Sequence, residues 1–234
     1  YLAHFSDSEL ADNAQYYIGE CYYSQKKYNE AILSFDQVIN LYAQTAQTPG
    51  QRPALETSYQ YAQALLKNHQ QAEAAKVVNE LLPGVRQQSA SPLLLPVLQL
   101  AADLAFIQEN YDEARRHYEE VVKVSIEQGA HKEEWAGLQL AAIQPGATPP
   151  AELRDFGGLL KNYLAYVPKR DGFTVTEASN RYLQQNPYTR LGANVNALRN
   201  NARSEADAWL NRGVQRVESS VGERQVQPQE AQPA

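Results

Sequence analysis

Several things are scarce in this chain of 234 residues. It has no methionine and a single cysteine, Cys21. No internal disulfide can form, and one thiol fits a reducing cytosol and an oxidising periplasm alike. The four histidines, His4, His69, His117 and His131, include no pair at metal-ligand spacing on one helix. Each is expected at the surface or in a turn, and no metal or cofactor is expected. No apolar run approaches the ~18 residues of a membrane-spanning helix, so any membrane association would come through a partner or a lost anchor. No stretch alternates polar and apolar residues as a strand does. A phosphate-cradling glycine loop, a His-Glu zinc motif and a nucleophile elbow are all missing, so the chain is not expected to be an enzyme. Positive charge is the minority sign, with 21 Lys and Arg against 27 Asp and Glu and a net charge of −6, which argues against nucleic acid as a partner. Lacking an initiator methionine, the chain is expected to be a processed or truncated product. A missing signal peptide then says nothing about compartment.

What remains is helix. Hydrophobic residues make up 43% of the chain, enough for a core. They recur three and four apart on both sides of the short polar turn Gln25-Lys26-Lys27. Small residues, Gly19 and Ala31, stand where two helices must touch, and Tyr22, Tyr28 and Phe35 where they must interlock. This pattern predicts an antiparallel hairpin with helices at 8–25 and 28–43. Its start is signalled by the capping box Ser6-Asp7-Ser8-Glu9. A linker follows over 44–53. A second hairpin is predicted at 53–67 and 70–83, closed by Pro83-Gly84, and a third at 92–108 and 111–128. Ala62, Leu65, Ala74 and Val78, then Ala102, Ala105, Ala114 and Tyr118, occupy the places of Gly19, Tyr22, Ala31 and Phe35. Equivalent alanines, Ala31, Ala74 and Ala114, are 43 and 40 residues apart. The spacing resembles the tetratricopeptide (TPR) unit of about 34 residues, lengthened in its linkers. Such units cannot bury their apolar faces alone; they stack and leave a concave surface.

Beyond residue 130 the repeat decays. A helix over 131–143, a Pro/Gly loop with Thr148-Pro149 as N-cap and first-turn proline, and a helix over 151–166 predict a degenerate fourth hairpin. Gly157-Gly158 within it is expected to permit close packing, and Trp135 to pack it. A second capping box, Thr174-Val175-Thr176-Glu177, opens a helix that Asn186-Pro187 ends. Residues 192–217 suit one long helix carrying Trp209, as core or as interface anchor. The fold expected is all-α, a superhelical array of antiparallel hairpins with extra C-terminal helices. Its divisions are 1–130 for the array, 131–170 for the degenerate hairpin, 171–218 for C-terminal helices and 219–234 for a disordered tail. The opening YLAHFSDS reads as the end of an earlier repeat, so the array is expected to be truncated at its N-terminus.

The string SELADNAQYYIGECYYSQKKYNEAILSFDQVINLY resembles the periplasmic TPR domain of the bacterial Tol-Pal system protein, the cell division coordinator family. It departs from that family where Tyr42 is followed by Ala43 rather than proline. The resemblance implies a periplasmic, non-enzymatic adaptor with envelope proteins as partners. In TPR arrays, positions 2, 5, 9, 12 and 13 of each repeat point into the groove. In the first repeat these include Asn13, Tyr16, Glu20 and Tyr23. In the second they include Tyr59, Gln63 and Lys67, and in the third Gln99, Asp103 and Phe106. Aromatic anchors interleaved with amides suit an extended or helical peptide. The alternative is that these tyrosines pack internally, with the long helix after 190 filling the groove.

The remaining candidates read as structure. Cys21 is expected to be a small buried hydrophobe. Six arginines between 181 and 216 face two acidic residues, Glu205 and Asp207. They suit either an anionic partner or docking on the acidic repeats, the latter preferred. The function expected is a protein-interaction scaffold of the bacterial envelope. The alternatives are a structural subunit of a large envelope machine, such as a pilus, secretion or motility apparatus, or a regulator of an envelope polysaccharide enzyme.

Overall fold

The computed structural model describes residues 11–45, 52–88, 91–130, 133–166 and 172–225, with side chains left undescribed at 11–13, 41–45, 52–54, 172–173, 209 and 212–225. Among them are ten helices and no strand: α1 (Ala11–Ser24), α2 (Tyr28–Thr45), α3 (Arg52–Lys67), α4 (Gln71–Gln87), α5 (Leu94–Ile107), α6 (Tyr111–Gln128), α7 (Glu133–Ala142), α8 (Pro150–Ala165), α9 (Gly172–Gln185) and α10 (Gly192–Gln225). Each helix from α1 to α6 packs on the next in sequence, as a solenoid requires.

The first three hairpins are copies of one device. In each, the amide after the turn reaches back five residues: Lys27 N–H to Tyr22 O at 2.9 Å, Gln70 to Leu65 at 2.8 Å, and Asn110 to Ala105 at 3.0 Å. The residue before it is left-handed every time, with φ of 63° at Lys26, 62° at His69 and 61° at Glu109. This is the Schellman closure, which satisfies the last carbonyls of the first helix. A glycine would adopt that φ without strain, and none of the three turns has one. The carbonyl of Lys27, Gln70 or Asn110 then accepts the amide of Ala31, Ala74 or Ala114, starting the second helix at the same point in every unit.

The small and large positions behave as the spacing predicts. Ala31, Phe35, Ala62, Leu65, Ala74, Val78, Ala102, Ala105, Ala114 and Tyr118 are all buried. Gly19 is needed in the strict sense: a β-carbon there would lie 2.5 Å from Cε1 of Phe35. Gly158 is the contrast, a helical glycine with nothing within 4 Å of its β-carbon position. Gly19→Ala should therefore cost about 1–3 kcal/mol through overpacking. Gly158→Ala should add about 0.5–1 kcal/mol by restricting the unfolded chain and favouring helix. Urea midpoints moving in the same direction for both would contradict this contact geometry.

The structure departs from the sequence reading in several places. Pro83-Gly84 does not end α4, which runs on to Gln87. The proline ring is on the exposed side, while Leu81, Leu82 and Val85 are buried around it and hold the helix in place despite the missing N–H. Helix α8 begins one residue later than its cap was placed, with Pro149 at the N-cap and Pro150 in the first turn. Helix α9 starts at Gly172, so Thr174 lies inside it. Helix α10 continues to Gln225, which makes 219–225 helical; 226–234, like the capping box at 6–9 and the segment 1–8, lies outside the described residues. Cys21 is exposed rather than buried. His117 is buried within α6, whereas His69 occupies a turn. Burial, and next the Arg86 guanidinium, hold His117 below the usual histidine range. The side-chain hydrogen bonds found for the described arginines of α10 and the loop before it go to the loop before α8 and to α9 rather than to the acidic repeats: Arg190 to the Ala147 carbonyl at 2.6 Å, and Arg199 to Asn180 at 2.9 Å.

The largest departure concerns the fourth hairpin. Helices α7 and α8 do not pair. Helix α7 stacks on α6, whereas α8 turns back across the concave side and packs on α5 and α3. Helices α9 and α10 form their own hairpin, and α10 also contacts α7 and α8. Gly157 does meet the array, its β-carbon position lying 3.9 Å from the Phe106 ring.

Candidate functional site

The inner face is built by the first helix of each hairpin, α1, α3 and α5. Side chains four apart on a helix share a face, and each of these helices presents one such hydrogen-bonded pair there. Tyr16 bonds Glu20 on α1. Gln63 Nε2 donates to the Tyr59 hydroxyl at 3.0 Å on α3. Gln99 Nε2 donates to Asp103 Oδ1 at 3.1 Å on α5. Six of the residues singled out from the sequence thus form a ladder of polar pairs along the concave side.

At the α1 end the ladder is aromatic. The Tyr16 ring packs on Phe35 with centroids 5.9 Å apart, and Tyr23 meets Tyr28 edge-on at 5.5 Å. Both tyrosines are half-buried. Burial, and then the Glu20 and Glu56 carboxylates, push the Tyr16 hydroxyl up to about 12. Burial likewise raises Tyr23, Tyr59 and Glu20 above their ordinary values. Asn13 lies within α1, with its side chain outside the described residues.

At the α5 end the ladder opens into a cavity of about 430 Å³. Tyr59 and Gln63 form one wall, Gln99 and Asp103 another, and Trp135 of α7 a third. Helix α8 adds Tyr163 and Leu164, and α10 adds Asn201 and Glu205. Asp103 is the most constrained group. It is only 5% exposed, and its Oδ1 accepts from Tyr118 Oη at 2.6 Å, Trp135 Nε1 at 3.2 Å and Gln99. Three helices are thereby tied to one oxygen. Burial dominates its titration and pushes the carboxyl up to about 6, although all three donors pull the other way. On the opposite side, Glu205 accepts from Tyr163 Oη at 2.8 Å and from Tyr166 Oη, pinning the end of α8 to α10.

Two of the predicted residues are used internally. Phe106 is 1% exposed and takes Phe156 of α8 edge-on, with centroids 5.6 Å apart. No partner can reach it, because α8 already fills that part of the groove. Lys67 turns its Nζ onto the Leu164 and Tyr166 carbonyls, each at 2.8 Å. It satisfies acceptors that the end of α8 would otherwise leave open. The sequence reading missed Trp135 as a site residue, along with Tyr163, Asn201 and Glu205. Trp135 carried a signal, being a large indole with one N–H donor on a helix after the repeats. The others carried none, because their place depends on α8 folding back.

Residues 13–45 match the tetratricopeptide repeat family. Among solved structures, the chain is similar to a variant form of a Podosopora anserina protein, titled as a kinesin light chain with nearly identical TPR-like repeats. The TM-score is 0.51 at 17% identity, over 87% of this chain and 99% of that one. A second structure of the same kind from that organism covers 82% of this chain and 95% of its own, with 14% identity and a TM-score of 0.49. No curated protein sequence matches the chain. No helix among the described residues is long and apolar enough to cross a membrane. Residues 13–45 match the tetratricopeptide repeat, and the described residues fold as an all-α array of TPR-like hairpins.

Proposed function

We propose that this chain is a non-catalytic adaptor of the bacterial cell envelope, working on the periplasmic side, which holds a segment of another envelope protein against the inner face of α1, α3 and α5. The observation that carries this reading is the ladder of paired polar and aromatic residues along the concave side. Tyr16, Glu20 and Tyr23 are half-buried along it, and it is hollow at Tyr59, Gln63, Gln99 and Asp103. Such a surface gives an extended or helical segment aromatic area at low entropy cost and amide partners for its polar groups. The LADNAQYYIGECYY stretch supports the envelope setting, and the residues supply docking without bond-making.

The test is crosslinking and recovery of the tagged chain from a bacterial envelope fraction. Tyr16→Ala combined with Tyr23→Ala should reduce recovery of the specific partner by about tenfold or more, as loss of two interface aromatics does. Because both rings also pack on α2, the double variant should lose some stability while keeping its helical content. Undiminished recovery would remove the α1 face from the binding surface. Recovery only from cytoplasmic fractions would end the envelope assignment.

A further inference from the structure

We propose that the half-open cavity lined by α3, α5, α7, α8 and α10 is a binding site for an organic cation, the ammonium or guanidinium group of a lysine or arginine side chain carried by the docked protein. The proposal rests on the scaffold reading only for the source of that cation; the chemistry belongs to the cavity itself.

Three features converge. The first is charge. Asp103 of α5 and Glu205 of α10 both line the cavity, and among the described residues no lysine or arginine lines it. Lys67, one turn beyond Gln63, is engaged with the end of α8. The second is the state of Asp103. All three of its described hydrogen bonds end on Oδ1, and no described bond ends on Oδ2. Among the described residues this deeply buried carboxylate has no counter-charge, and burying charge is unfavourable until one arrives. A bound cation would supply it, at a group already held in place by Tyr118, Trp135 and Gln99. The third is the walls. Tyr59, Trp135 and Tyr163 present aromatic rings around the same hollow, and such rings attract ammonium and guanidinium groups while packing their aliphatic stems. An anion would meet two carboxylates here. An uncharged aliphatic group would fill space and leave Asp103 without its counter-charge. The volume of about 430 Å³ lies within the ~300–1,000 Å³ of ordinary ligand pockets.

The test uses the full chain and calorimetric titration with three short alanine-based peptides that differ only at a central lysine, arginine or norleucine, and with butylammonium as a free cation. The lysine and arginine peptides should bind about tenfold or more tightly than the norleucine peptide, the equivalent of ~1.4 kcal/mol. Asp103→Asn and, separately, Glu205→Gln should each erase most of that preference while far-ultraviolet circular dichroism stays unchanged. Two variants on different helices guard against a local packing defect in either one. Equal affinity for the lysine and norleucine peptides, or a lysine preference untouched by both variants, would overturn the cation site while leaving a peptide-binding scaffold intact. Butylammonium binding that depends on Asp103, with no binding by any peptide, would establish the cation site and overturn the protein source. No heat from any of the four ligands at millimolar concentration would overturn the site.

Discussion

Replacing Phe156 with alanine should destabilise the protein by about 3–5 kcal/mol, the range for emptying a fully buried aromatic site. Phe156 has no exposed surface. It meets Phe106 edge-on, and Phe106 in turn meets Tyr111 edge-on at 5.4 Å. One ring on α8 therefore completes an aromatic stack running into the third hairpin. The loss should not be spread evenly. Helices α3 to α6 supply most of the buried cluster, which α8 joins through Leu153, Phe156, Leu159 and Leu160, with the Lys67 contacts and the two tyrosine bonds to Glu205 beside them. Amide exchange in α8 should accelerate more than in α5 or α6, because the helix can open as a unit while the array stays folded. Phe156→Leu, which keeps most of the volume, should cost less than half as much. A loss below about 1 kcal/mol for the alanine variant, no more than a surface change produces, would show that α8 does not seat against Phe106.

The array itself was legible because its rule is local. Whether Gly19 faces Phe35 depends on four-residue spacing and on the size of two side chains, both visible in the string. The 43- and 40-residue offsets of Ala31, Ala74 and Ala114 reappear in the left-handed residues Lys26, His69 and Glu109. The turn chemistry at those three positions was not legible, since none is the glycine that advertises this conformation. The fate of α8 was hidden for a different reason. Periodicity shows that Leu153, Phe156 and Leu160 share a face, but not which surface covers it. The Pro/Gly loop before α8 reads equally well as a hairpin turn and as a reversal into the groove. Consequently Tyr59, Gln63, Gln99 and Asp103 could be placed on the inner face from spacing, whereas Tyr163 and Glu205 could not, and Phe106 and Lys67 were assigned to a partner although α8 claims them. Cys21 failed differently: a lone cysteine is usually buried, but α1 turns this one to solvent.

Asp103→Asn should raise stability at neutral pH by an amount on the order of 3 kcal/mol, and the gain should fade in acid. The carboxyl is held near 6 in the folded chain against 3.8 for its ordinary value, and a gap of about two units is worth on the order of 3 kcal/mol. The sign follows from proton counting. Between the two values the folded chain binds more protons than the unfolded one, so stability falls as pH rises through that window. Below pH ~4 both states become protonated, and the carboxyl behaves as the neutral acceptor and donor that asparagine imitates. Above pH ~6 the folded chain carries the full cost of a buried charge, whereas asparagine still offers an oxygen to Tyr118, Trp135 and Gln99 without it. Urea unfolding of wild type and variant at pH ~4 and pH ~7.5, either side of the window, isolates this one group, because His117, Glu20 and the other titrating side chains contribute equally to both proteins and cancel in the difference. A stability difference that stays constant across that range would mean that folding does not shift the titration of Asp103, so its charge carries no burial cost for a cation to relieve, and the cation site would lose its anchor. A difference that opens with rising pH, and closes again for wild type when the lysine peptide is added at the upper pH, would tie the cost of the buried charge to the ligand that relieves it, since a ligand bound to the folded state alone stabilises by mass action.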